Sequence, residues 1–182
     1  FVLPIHCGTE IGVASTKAFT AQLVVLICLA ISLGRQNGRL DADKAVDIHQ
    51  GLLKLPGAIG KSMTLFDSIL PIANQLKNSR SCLFLGRDIL FPLACEGALK
   101  LKELSYIHAE GFASGEMKHG PLALIEEGLP VIVIAPKDRY FEKTLSNMQE
   151  VIARGGKIFF ITDNKKDSIS ENIRFGIRVP HL

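Results

Sequence analysis

The chain has 182 residues, 47% hydrophobic and 21% charged, with a formal net charge of +3. That is an ordinary globular composition with enough apolar residues for a sizeable core. The near-neutral balance, without a run of Lys and Arg, argues against a nucleic-acid or anionic-membrane partner, and the absence of Trp removes one kind of stacking platform.

In chain order, residues 1–12 read as a strand and a turn, punctuated by Gly8 and Gly12. The chain opens without an initiator Met and ends abruptly at 180–182, so it reads as a cut fragment. No basic segment precedes the first apolar run, so no signal peptide is expected. The spacing predicts a long helix from about residue 13 to 33, stopped by Gly34. Its apolar core is shorter than the ~20 residues of a membrane span, which favours a buried core helix. The polar stretch 35–43 reads as a loop, with Asp41 or Asp43 as the N-cap of a helix over 44–55. Pro56 and Gly57 are expected to break it. A further helix runs to about residue 77, with Pro71 as a kink or restart.

From residue 81 the texture changes. Apolar runs at 82–85, 131–134 and 158–161 read as buried strands, with a possible fourth at 177–179. They alternate with helices at 91–106 and 141–154. Short apolar strands alternating with helices predict an α/β layered fold with a mostly parallel sheet. Ligands in such folds sit at the carboxyl ends of strands, which directs attention to residues 86–88.

On a helix over 91–106, Glu96, Lys100 and Glu103 share a stripe about 60° wide at ~3.6 residues per turn. Most other directions are apolar, so the helix is expected to be buried, with the stripe facing a cleft or a partner charge. Two readings stay open: an ion-pair ladder, or a base (Glu103) tuned by Lys100, itself held by Glu96. The following segment, 109–121, reads as a loop with a short helical turn. His119 there is either a surface residue or an acid/base group. Cys7, Cys28, Cys82 and Cys95 form no CxxC pair and sit among apolar neighbours, so buried free thiols in a reducing compartment are expected. The five His are dispersed, which argues against a metal site.

The run EGALKLKELSYIHAE at 96–110, followed by GEMKHGPLA at 115–123, resembles the isomerase (SIS) domain of the glutamine–fructose-6-phosphate aminotransferases. The segment GTEIGVASTKAF at 8–19 is similar to that family's link between two SIS subdomains. Gly86 and Arg87, and ARGG at 153–156, also fit. The resemblance implies that residues 1–38 end a first SIS subdomain and that 39–182 form a second, truncated at its C-terminus. It implies a reaction in which fructose 6-phosphate and ammonia from glutamine give glucosamine 6-phosphate, the start of amino-sugar nucleotide biosynthesis. By the same resemblance Glu103 is the base between C1 and C2, Lys100 assists at the sugar hydroxyls, and Glu96 is an acidic partner. His119 is associated with opening the hexose ring and reaches the neighbouring subunit's site. Val13 and Ser15 touch the sugar.

A homodimer in the cytoplasm is implied, with the sugar phosphate as ligand, no cofactor or metal, and no nucleic acid or membrane. The family's phosphate-binding loop, glutaminase domain and Schiff-base lysine have no counterpart in these residues, so the fragment alone is expected to be inactive. A sugar-phosphate-binding SIS regulator without chemistry is the alternative, and a monofunctional aldose–ketose isomerase a third reading.

Overall fold

The strand Ser81–Gly86 (β1) organises the fold, because it is buried along nearly its whole length. The computed structural model describes residues 2–164 and 175–181, which fall into two compact units, one of residues 2–60 and one of residues 61–164 with 175–181.

The second unit holds a five-stranded, all-parallel sheet in the order β2-β1-β3-β4-β5. The other strands are His108–Ala113 (β2), Pro130–Ile134 (β3), Lys157–Thr162 (β4) and Phe175–Arg178 (β5). Parallel neighbours need crossovers, and helices supply two of them: Phe91–Ser105 (α4) between β1 and β2, and Phe141–Ile152 (α5) between β3 and β4. Alternate side chains of β1 feed two cores. Cys82 and Phe84 pack with Ile72, Leu76, Ala94 and Ala98, under Phe66–Leu76 (α3) and α4. Leu83 and Leu85 pack with Val131, Val133, Met148 and Val151, under α5. The expected α/β layered architecture is therefore present. Burial pushes the Cys82 thiol up to about 12, so it stays an inert core group.

Several local expectations change. The segment 109–121 is not simply a loop, because residues 108–113 form β2, an edge strand paired with β1 from Ser81↔His108 to Gly86↔Ala113. Its sequence, HAEGFA, has no apolar alternation. It is a strand because β1 offers a free edge and because α4 lies close against it. A Cβ on Gly111 would sit 2.6 Å from the Cys95 Cα, and one on Gly97 would sit 2.9 Å from the Phe84 ring. Small residues at these points let helix and sheet backbones approach. Helix α4 is also less buried than its composition predicts. Only Ala94 and Ala98 are buried, while Leu93, Leu99 and Leu104 are exposed. One face meets the sheet, and the unit has no further layer to cover the other.

In the first unit, the described residues 2–12 form no strand, and Phe1 lies outside the described residues. A lone strand leaves its backbone groups unpaired, and among the described residues no other strand lies in this unit. The first helix runs Lys17–Gln36 (α1), beginning later than expected and passing through Gly34 to a C-cap at Asn37. It has no buried residue, contrary to the expected core helix. Leu23, Leu26, Ile27 and Leu33 are exposed, because the unit contains no sheet on which to bury them. By length and composition this helix could cross a membrane, with mean hydropathy 1.9, a test that core helices of soluble proteins also pass. Asp41 caps Ala42–Met63 (α2), accepting the Lys44 N–H at 2.7 Å. Pro56 lies inside α2 rather than ending it, and Pro71 lies inside α3. A proline removes one backbone donor and strains its own turn, yet helical pairing on both sides here carries the chain through.

Next to the edge strand β5, Asp163 follows β4. Its carboxylate accepts the Lys137 N–H at 2.7 Å and lies 2.5 Å from His181 Nδ1. Burial pushes this carboxyl up, but the Lys137 amide and His181 outweigh burial and hold it below the usual carboxylate range.

Two outcomes follow from this packing. Gly111→Ala places a methyl group against the Cys95 backbone and is expected to cost about 1–3 kcal/mol. The denaturant midpoint would fall at constant slope, and an unchanged midpoint would contradict the close approach. A carboxyl depressed in the folded state stabilises it above about pH 3.9, and that contribution disappears as pH falls through the folded value. Asp163→Asn should therefore lower the thermal midpoint at neutral pH while leaving the variant less sensitive than wild type to acid below about pH 4. Parallel stability–pH profiles would count against that role.

Candidate functional site

Helix α4 starts at the carboxyl end of β1, with Pro92 in its first turn, where a missing N–H costs nothing. It descends along the sheet and stops at Tyr106, whose φ of 60° places it in the left-handed region. Because Ala94 and Ala98 face the sheet, Glu96, Lys100 and Glu103 are carried together on another face. Lys100 Nζ lies 2.7 Å from Glu103 Oε2 and 3.5 Å from Glu96 Oε1. The three side chains are partly buried, at 22% exposure for Glu96 and Lys100 and 32% for Glu103. The Glu103 hydrogen bond, with smaller help from Glu96, outweighs desolvation and raises the Lys100 pKa above its usual value. Lys100 is therefore an ammonium at neutral pH, bracketed by two carboxyl groups.

Such pairs on a partly exposed helix add little to stability, because solvent screens them. Their consequence is placement. The Lys100 contact fixes one Glu103 oxygen, and Glu103 lines a shallow depression of about 480 Å³ with Leu99, Lys102, Tyr106, Ile107 and His108. Tyr106 and His108 escaped the sequence reading. The left-handed cap that swings Tyr106 out, and the edge strand that starts at His108, have no local signature. The arrangement supplies a carboxylate base, a neighbouring cation and a half-apolar wall, which suits proton transfer beside a developing negative oxygen.

His119 is not part of this cluster. It is exposed on a 3-10 turn, Ser114–His119, that leaves the carboxyl end of β2. The depression lies at the amino end of β2, beside His108. Six strand residues at ~3.3 Å each put about 20 Å between the two ends. The fold thus brings Glu96, Lys100 and Glu103 together, and His119 is neither in that cluster nor in the lining of the depression.

Val13 and Ser15 lie in the other compact unit, on the bend before α1. Val13 is 87% exposed. The Ser15 hydroxyl donates to Glu10 Oε1 at 3.4 Å, and the same oxygen accepts the Ala18 N–H at 2.8 Å and the Thr16 N–H at 3.2 Å. The amide of Ala18, ahead of smaller contributions and against some desolvation, holds the Glu10 carboxyl below its usual range. Glu10 therefore shapes the bend that presents Val13 and Ser15. It was missed because a capping carboxylate six to eight residues upstream follows no helix-start pattern.

At the carboxyl end of β1, Arg87 Nη2 donates to Asn147 Oδ1 at 2.6 Å. Among the described residues, Arg87 Nε and Ser114 Oγ are buried without a partner. Each such group costs on the order of 1–3 kcal/mol. Also among the described residues, no group of three or more His, Cys, Asp and Glu is placed to hold a metal ion.

Residues 75–181 match the family model of the SIS domain. Over 164 residues the chain is 57% identical to a glutamine–fructose-6-phosphate aminotransferase [isomerizing] of Bradyrhizobium diazoefficiens, covering 90% of this chain and 27% of that protein. The enzyme of the same name from Agrobacterium fabrum is 54% identical over 171 residues, covering 93% of this chain and 28% of that protein. The chain thus spans little more than a quarter of the length of these relatives. Among solved structures, the C-terminal domain of glucosamine-fructose-6-phosphate aminotransferase from Francisella tularensis superposes with a TM-score of 0.91 at 39% identity, over 95% of this chain and 49% of that one. A five-stranded parallel sheet between helices, matched by the family model across the whole sheet, places this chain in the SIS domain family.

Proposed function

We propose that the chain is part of an isomerase domain that makes glucosamine 6-phosphate from fructose 6-phosphate and ammonia released from glutamine. The observation that carries this reading is the Glu96–Lys100–Glu103 cluster, with Glu103 at the edge of an open depression. The names and the identity of the relatives support it. In this reading residues 1–38 close one SIS subdomain and 39–182 open the next, in a cytoplasmic enzyme at the start of amino-sugar synthesis, with no membrane or nucleic-acid partner.

The chemistry follows from the residues. Ammonia adds to the open ketose at C2, and loss of water leaves an imine. Glu103 takes a proton from C1 and returns it at C2, while the nitrogen gains a proton and the C1 hydroxyl gives one up, so the double bond moves from C2–N to C1–O and leaves an aldose with an amine on C2. One base serves both carbons because they are adjacent. Lys100 stabilises the negative charge that builds up on the oxygen or nitrogen between the two proton transfers, and Glu96 keeps the ammonium in place. Val13 and Ser15 contact the sugar. A sugar-phosphate-binding regulator would have no use for a carboxylate held by a cation at the wall of the site.

His119 opens the sugar ring from the neighbouring subunit. The turn before His119 is anchored by Met117 in the core under α5, whereas α4 packs on the other core, and this separation supports a shared site in a homodimer. Each subunit then contributes Glu103 to one site and His119 to the other.

In the full-length protein, Glu103→Gln should lower synthesis by about 10²–10⁴-fold with the fold intact. Synthesis at the normal rate would remove Glu103 from the mechanism. Co-expression of Glu103→Gln and His119→Asn chains should restore activity, because a mixed dimer has one site with both residues native. With random pairing about a quarter of wild-type activity is expected. No recovery above either variant alone would contradict the shared site.

A further inference from the structure

The turn that carries His119 is short and exposed at its end, so something must fix where the imidazole points. Three contacts do so. Met117, 1% exposed, inserts into the core beneath α5. Lys118 Nζ lies 3.0 Å from Glu150 Oε1 on α5. Arg87 lies behind the start of the turn. Its Nη1 is 3.5 Å from the position a Cβ on Gly115 would take, and its Nη2 donates to Asn147 on α5 at 2.6 Å.

The topology makes this a closed ring. Gly86 and Ala113 are the last paired residues of β1 and β2, so Arg87 and Ser114 leave adjacent strand ends side by side. From Arg87 the contacts run to Asn147, whose Nδ2 is 3.5 Å from Glu150 Oε2, then to Lys118 and so to the residue before His119. The two buried polar atoms without partners, Arg87 Nε and Ser114 Oγ, both fall at this junction. An apolar pair would serve stability better there. Polar groups kept at a cost to the fold point to a role in placement.

We propose that Arg87 is a positioning residue for His119. Through Asn147 on one side and the backbone at Gly115 on the other, it sets the angle at which the turn leaves the sheet. It touches no substrate. The proposal rests on the reading of His119 as the ring-opening group.

The test is a double-mutant cycle in the full-length protein with fructose 6-phosphate and glutamine. Arg87→Met should lower kcat about 10- to 100-fold with KM nearly unchanged, as expected when a reacting group is displaced by about 1 Å. In a His119→Asn background the same change should alter kcat by less than about twofold, because the group it places is gone. Multiplying effects would overturn the proposal. Wild-type turnover in His119→Asn alone would instead remove the reading beneath it, and the proposal with it. Should Arg87→Met fail to fold, the exposed Lys118→Met carries the same cycle, since Lys118 is the other strut of the ring. It is expected to be non-additive with His119→Asn in the same way, and additivity there would overturn the proposal equally.

Discussion

The close approach of helix α4 to strands β1 and β2 is the constraint on which the rest depends. Gly97 lets the Phe84 ring lie against the helix, and Gly111 lets the strand backbone meet the Cys95 backbone. Ala94 and Ala98 complete a contact face without bulk. Residues this small contribute little apolar area. Their value lies in the angle and depth they give the helix. With that face committed to the sheet, the 3.6-residue repeat leaves Glu96, Lys100 and Glu103 on another, and the helix ends with Glu103 beside the start of β2.

The same geometry separates the charged stripe from the turn that carries His119. Helix α4 runs antiparallel to the strands, so its later charges reach the amino end of β2. The chain then climbs β2 and turns through Ser114–His119, where Met117 is buried in the core under α5 while α4 packs on the other core. Under the proposed shared site, the contacts of Arg87, Asn147, Glu150 and Lys118 would give His119 a rigid stem in its own subunit.

The sequence revealed the central strands because their apolar runs at 82–85, 131–134 and 158–161 are continuous, as strands buried on both faces must be. It also placed the charged stripe, since helical spacing is arithmetic once the helix is recognised. It missed β2 because HAEGFA owes its strand form to a neighbouring edge and to the space left by Gly111. It placed helix breaks at Gly34 and Pro56, where neighbouring turns hold the helix together. It overestimated the burial of α1 and α4, because hydropathy reports what a helix could bury and not whether another layer is present in the same unit. The role of Arg87 had no local signature. It depends on Asn147, sixty residues away.

The central claim is that Glu103 carries a proton between adjacent carbons of a sugar phosphate. Fructose 6-phosphate deuterated at C1 tests it most directly, in the full-length protein with glutamine as donor. From substrate dideuterated at C1, the account predicts product that keeps one deuterium on C1 and carries part of the other at C2, the rest being exchanged into water, as one base holding the proton between two transfers requires. It predicts that both the transfer and the exchange are lost in Glu103→Gln. Deuterium reaching C2 at the wild-type rate without the Glu103 carboxylate would contradict it.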